Sequence, residues 1–174
     1  MPAERGQSAI VVPVPAAEPV VGGWRQRYDP SAREGMPAHV TLLYPFLPLE
    51  RLTAAEVGRL RGLCGARDAF DTEFVRTGRF PGVLYLAPDP AELYRMLTEA
   101  IATTWPEAPP YGGAFDSIVP HLTVAEGAAE TRLDVIERDL TRQLPIHAHA
   151  GEARLYTFDG TRWTVHARLP FGAS

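Results

Sequence analysis

The 174-residue chain contains no lysine, and all 17 of its basic residues are arginine. Lysine nucleophiles and Schiff bases are therefore excluded. Arginine and protonated histidine are the only cationic side chains left to clamp a phosphate. Cys64 is the single cysteine, which rules out an internal disulfide framework and a cysteine zinc cluster. It sits in LRGLCGA, on the apolar side of an expected helix, and reads as a core residue. No apolar run approaches the ~20 residues of a membrane span. The start MPAERGQSAI lacks the basic and apolar regions of a signal peptide, so a cytoplasmic protein with no membrane contact is expected. There is no basic excess either, since the formal net charge is −4. Proteins that hold long nucleic acid non-specifically usually carry such an excess. Any nucleic-acid partner should thus be short or bound by a local patch. A Walker-type phosphate loop is missing too, which argues against an ATP-driven ligase.

What is present is ordinary in bulk, with 45% hydrophobic and 22% charged residues, as in a globular protein of one domain. One pattern stands out. PAHVTLLYPF, residues 37–46, is echoed by VPHLTVAEG, residues 119–127. Each reads small residue or proline, histidine, apolar, threonine, apolar. On a strand, residues i and i+2 point to one face. His39 therefore shares a face with Thr41, and His121 with Thr123, while Val40, Leu42, Leu122 and Val124 point into the core.

The surrounding patterns repeat in the same order. The β-branched run SAIVVP predicts a strand near 8–14, followed by a short helix near 18–28 ended by Pro30 and a loop through SAREGMP. After the first histidine strand, Thr53 and Glu56 have capping-box spacing for a helix over 53–64, and 70–76 reads as a strand. The second set is a strand at 83–87, a helix over 90–104 with Asp89 as N-cap and Pro90 in the first turn, the second histidine strand at 121–125, a helix over 131–142, and strands from 147. In the 90–104 helix, Leu93, Met96, Leu97, Ala100 and Ile101 form the expected apolar stripe. A hairpin is expected to turn at Asp159-Gly160. The chain therefore reads as a single domain, 1–174, of two similar halves, about 8–80 and 81–170. A pseudo-two-fold axis between them would bring two imidazoles and two hydroxyls together across a cleft.

That set suits phosphate chemistry. Imidazole titrates near pH ~6.5, so one histidine can accept a proton while the other donates. Threonine hydroxyls can donate to phosphate oxygens as charge builds on them. On these two motifs, His39-Val40-Thr41-Leu42 and His121-Leu122-Thr123-Val124, the chain resembles the 2H phosphoesterase superfamily, which includes the 2'-5' RNA ligases and RNA 2',3'-cyclic phosphodiesterases. PGVLYL and PPYGG add to the likeness. The resemblance implies an α+β, bilobal pseudo-two-fold fold, with antiparallel sheets lining a central cleft and helices outside. It implies a metal-independent phosphodiesterase that opens 2',3'-cyclic phosphates to 2'-phosphates. His39 would be the acid and His121 the base, with Thr41 and Thr123 holding the phosphate. No cofactor and no obligate protein partner are expected. The partner would be a small cyclic-phosphate nucleotide or a short RNA end. A nucleotide- or RNA-binding module with little turnover, or a reversible 2'-5' ligase, are the alternatives.

Other residues carry weaker signals. His147 and His149 could share a metal, but two ligands are too few even with His166 nearby, so no metal site is expected. Arg76, Arg79, Arg154 and Arg168 are candidates to reach the cleft. Tyr111 and Phe115, in the long loop before the second motif, are candidates to stack on a base. Tyr44 and Tyr85 read as core.

Overall fold

The structure is a computed structural model that describes residues 2–114 and 117–172. Thirteen elements follow in chain order among the described residues: β1 (Ser8–Pro13), α1 (Glu18–Tyr28), α2 (Pro30–Arg33), β2 (His39–Leu43), α3 (Ala54–Gly65), β3 (Phe70–Phe80), β4 (Val83–Asp89), α4 (Ala91–Thr104), β5 (Leu122–Glu126), α5 (Glu130–Thr141), β6 (Ile146–Ala150), β7 (Glu152–Phe158) and β8 (Trp163–Pro170). The fold is α+β, built on two four-stranded antiparallel sheets, β2-β1-β7-β8 and β5-β4-β3-β6. Among the described residues, no helix is long and apolar enough to cross a membrane.

The order β1-α1-β2-α3 is answered by β4-α4-β5-α5, so each histidine strand is an edge strand beside the first strand of its own unit. The sheets do not follow a division of the chain near residue 80, however. β3 pairs with β4 and β6, while β7 returns to pair with β1 and carries β8 on its outer edge. The first sheet is thus completed by β7 and β8, which come after α5, and the second by β3, which comes after α3, together with β6. The helices cross over as well, with α1 packed on β5 and α4 on β2, and β2 lies against β5. This exchange joins both sheets to one continuous apolar core that holds Ile10, Val40, Leu84 and Leu122 together.

Local signals account for most boundaries. The Thr53 hydroxyl accepts from the Glu56 backbone N–H at 3.2 Å and starts α3. Cys64 is fully buried on that helix, and burial pushes its thiol up to about 11. Leu133, Ile136 and Leu140 face the core from α5. After β7, the Asp159 carboxylate accepts from the Thr161 and Arg162 N–H groups, 2.8 Å each, and Gly160 takes φ +102°.

Three expectations change. SAREGMP is not all loop, because the Asp29 carboxylate accepts from the Ser31 N–H and nucleates the short helix α2. α4 starts at Ala91 with Pro90 as its N-cap, one residue later than expected, and Asp89 ends β4. Its buried face is Tyr94, Leu97, Thr98 and Ile101, leaving Leu93 and Met96 exposed. The helix is rotated so that the buried Thr98 hydroxyl can donate to the Leu42 carbonyl of β2 at 2.7 Å.

Candidate active site

His39, Thr41, His121 and Thr123 all line one cleft of about 490 Å³. Alternation places them there. In β2, Val40 and Leu42 are buried while His39 and Thr41 are half-buried, and in β5 Leu122 and Val124 are buried while His121 and Thr123 are half-buried. The neighbouring edge strands then bring the two rows together.

Each imidazole is held in the same way. His39 Nδ1–H donates to the Pro37 carbonyl at 2.7 Å, and His121 Nδ1–H to the Val119 carbonyl at 2.8 Å. A carbonyl can only accept, so the proton sits on Nδ1 in the neutral ring. Nε2 is then the nitrogen that exchanges a proton. The segment before His39 is anchored by Glu18, whose carboxylate accepts from the Ala38 N–H at 2.6 Å. His121 is braced by Phe80 and Tyr85, at ring distances of 5.0 and 5.4 Å.

The electrostatics favour neutral rings in the empty cleft. Burial, and then the Arg25 charge, lower the His39 pKa to about 4; the Pro37 hydrogen bond and Asp29 oppose the shift, and His121 adds slightly to it. Burial also lowers His121, opposed by its bond to Val119. Arg25 is buried and paired with Asp29 at 3.1 Å, and it also donates to the Met36 carbonyl at 3.1 Å. Asp29, Glu34 and Glu126 line the cleft, together with Tyr44, Tyr111 and Trp163.

Sequence reasoning and structure part at several residues. Tyr111 lies on the cleft wall, where its N–H donates to the Tyr44 carbonyl at 2.7 Å. Phe115 lies outside the described residues. Tyr44 is not a core residue. It is half-buried in the cleft wall, edge-on to Trp163, and donates to the Gln7 side chain at 2.6 Å. Tyr85 is half-buried against His121. None of the four candidate arginines lines the cleft. Arg79 is bound by Glu130, Asp134 and Glu137 of α5, and Arg154 and Arg168 converge on Glu152. Arg76 is exposed. His147 and His149 are exposed, each beside a carboxylate of β3, Glu73 at 3.0 Å and Asp71 at 2.8 Å. Arg25 and Asp29 were missed, although their i,i+4 spacing on a helix was a usable signal. Trp163 and Glu126 gave no local sign of a place in the cleft.

The family model of the 2'-5' RNA ligase superfamily matches residues 12–162. The chain belongs to that superfamily, within the 2H phosphoesterases. A Bacillus cereus (strain G9842) protein, named as a candidate phosphoesterase, is 27% identical over 173 residues, covering 94% of this chain and 95% of its own. The fold is shared with Escherichia coli LigT in complex with NADP+, at TM-score 0.59 and 19% identity, covering 98% of this chain and 99% of LigT. LigT in complex with 3'-AMP gives TM-score 0.57 and 20% identity, covering 97% and 99%. Protein TT0787 of Thermus thermophilus gives TM-score 0.63 and 18% identity, covering 94% and 97%.

Proposed function

We propose that this member of the superfamily is a metal-independent cyclic phosphodiesterase that hydrolyses 2',3'-cyclic phosphates to 2'-phosphates. The observation that carries the reading is the matched pair, two His-Thr rows in one cleft with both imidazoles presenting Nε2 as the proton-exchanging nitrogen. In-line attack places water and leaving oxygen on opposite sides of phosphorus. Two histidines from pseudo-symmetric strands are suited to flank a phosphate in that way.

In the reaction, the base histidine takes a proton from water as its oxygen bonds to phosphorus. The bond from phosphorus to the 3'-oxygen breaks, and the acid histidine protonates that oxygen. Thr41 and Thr123 donate to the two non-bridging oxygens, where negative charge grows. The resemblance assigns His39 as acid and His121 as base. His39 holds a proton poorly in the empty cleft, so its acid role depends on the bound phosphate, whose negative charge favours the imidazolium. The scheme relies on proton transfer alone and needs no metal ion. That LigT has been crystallised with 3'-AMP and with NADP+ supports a nucleotide as the substrate here. Tyr111, Tyr44 and Trp163 offer the aromatic wall a base would meet.

The test is to incubate the protein with nucleoside 2',3'-cyclic phosphates and with a short RNA ending in a cyclic phosphate, then assign the product by phosphorus NMR. A 2'-phosphate is expected. Turnover no faster than that of a His39→Ala/His121→Ala double variant would end the reading. A 3'-phosphate would refute only the ribose orientation.

A further inference from the structure

Strict alternation beyond each threonine would put Leu43 and Ala125 on the cleft face. Neither goes there. In the first sheet Val11 pairs with Thr41 but Ile10 pairs with Leu43, so Leu42 is an extra residue in β2. In the second sheet Tyr85 pairs with Thr123 but Leu84 pairs with Ala125, so Val124 is an extra residue in β5. Both are β-bulges at the same distance from the histidine. Two successive residues are buried in each strand, Leu42 and Leu43, and Val124 and Ala125. The next residue, Tyr44 in one lobe and Glu126 in the other, returns to the cleft wall. Bulges beside active sites re-aim side chains in this manner. The two lobes therefore present three matched pairs to the cleft, His39 with His121, Thr41 with Thr123, and Tyr44 with Glu126.

Symmetry of type fails only at the third pair. A neutral phenol stands on one side, and its hydroxyl is already engaged by Gln7. A carboxylate stands on the other, with no hydrogen bond or ion pair to any described residue. Although Glu126 is exposed, partial desolvation by the cleft wall, and then the charge of Asp29, push its carboxyl up from its ordinary value. Asp29 and Glu34 share the lining, and no arginine does among the described residues. The Arg25 charge behind them is paired to Asp29. In a cleft of about 490 Å³, two bound negative groups would both lie within about a Debye length, ~8 Å at physiological salt, of Glu126. The His-Thr rows provide for one phosphate, and nothing in the lining provides for a second.

We infer that Glu126 is the specificity-determining residue of the cleft: it accepts a hydroxyl or amino donor from a substrate with a single phosphate and repels a second phosphate, so that a mononucleotide-sized cyclic phosphate is taken in preference to the phosphodiester chain of an RNA end. This rests on the cyclic phosphodiesterase reading and narrows its substrate.

The experiment compares kcat/KM for a nucleoside 2',3'-cyclic phosphate and for a trinucleotide ending in the same cyclic nucleoside, in the wild type, Glu126→Gln and Glu126→Arg. Glu126 is exposed, so both variants should keep the wild-type Tm. The wild type should prefer the mononucleotide by about tenfold or more, the scale of a like-charge clash. Glu126→Gln should shrink that preference, most at low salt, and Glu126→Arg should invert it. A wild type without preference, or a ratio unchanged in both variants, overturns the inference. Calorimetric binding of the two ring-opened 2'-phosphates is measured in parallel. If the wild type turns over neither substrate, the phosphodiesterase reading falls, and the binding ratio still decides the role of Glu126. A shift toward the trinucleotide in Glu126→Arg upholds it, and an unchanged ratio refutes it.

Discussion

The imidazole of His121 meets the Phe80 ring edge-on, with centroids 5.0 Å apart and planes at 87°. Tyr85 stacks on Phe80 at 4.5 Å and lies over Gly78, where an added Cβ would come within 2.4 Å of the phenol ring. Glycine at 78 is what allows Tyr85 to sit there, and Tyr85 and Phe80 together set the orientation of His121. Gly78→Ala should push Tyr85 aside and loosen the imidazole. The expected result is a fall in kcat of about 10-fold to 10²-fold, the cost of misplacing a reacting group by ~1 Å, with KM little changed. Steady-state kinetics and the pH profile of the variant check this. An unaltered kcat would show that the aromatic pair does not position His121.

The four residues of the two motifs should separate by role. His39→Ala or His121→Ala should each lower turnover by about 10²-fold or more, the usual scale for a general acid or base. Thr41→Ala and Thr123→Ala should give smaller but measurable losses, each removing one donor to the phosphate. All four side chains are only half-buried, so circular dichroism should find the folds intact. Turnover should survive EDTA. Loss of activity in EDTA that returns with a divalent cation would contradict the proton-only scheme.

Much of this site was legible because a strand has a period of two and the motif is short. His39, Thr41, His121 and Thr123 could be placed on one face each without knowing the sheets. The exchange of β3 and β7 between lobes was not legible, because strand pairing is a long-range choice that the order of elements leaves open. Tyr44 and Glu126 were hidden for a different reason. A bulge breaks the period at Leu42 and Val124, and both residues read as ordinary apolar strand positions. The arginines near strands misled because Arg79, Arg154 and Arg168 answer to carboxylates of α5 and β7, whose positions only the fold reveals.

The Arg25–Asp29 pair makes a stability prediction. Both side chains are nearly fully buried, at 2% and 5% exposure. Removing one partner leaves the other charge without compensation, which typically costs about 3–5 kcal/mol. Arg25→Met should therefore destabilise strongly in urea unfolding. The double variant Arg25→Met/Asp29→Leu should recover part of the loss, since neither charge then remains buried, less the roughly 1 kcal/mol typical of a lost helix cap because Asp29 also caps α2. Equal destabilisation by the single and double variants would mean that packing or the Met36 hydrogen bond, rather than the charge, is what Arg25 supplies.

The last prediction is the pH dependence. The ordinary His39 value of 6.5 falls to about 4 in the folded protein, through burial first and then the Arg25 charge. Between those values the unfolded chain binds a proton that the folded chain refuses, so stability declines as pH drops below about 6.5 and the loss levels off below about 4. The full cost is about 3 kcal/mol. Tm measured against pH should show this acid loss in the wild type and less of it in His39→Gln. Catalysis should carry the same signature. One histidine must be charged and the other neutral, and both values are lowered in the empty cleft. The kcat/KM profile, which reports the free protein, should therefore be a bell with its maximum on the acid side of pH 6.5. Bound phosphate favours both imidazolium forms, so the kcat profile should be displaced toward higher pH. A kcat/KM maximum above pH ~7 would show that His39 and His121 are not the groups that titrate in the reaction.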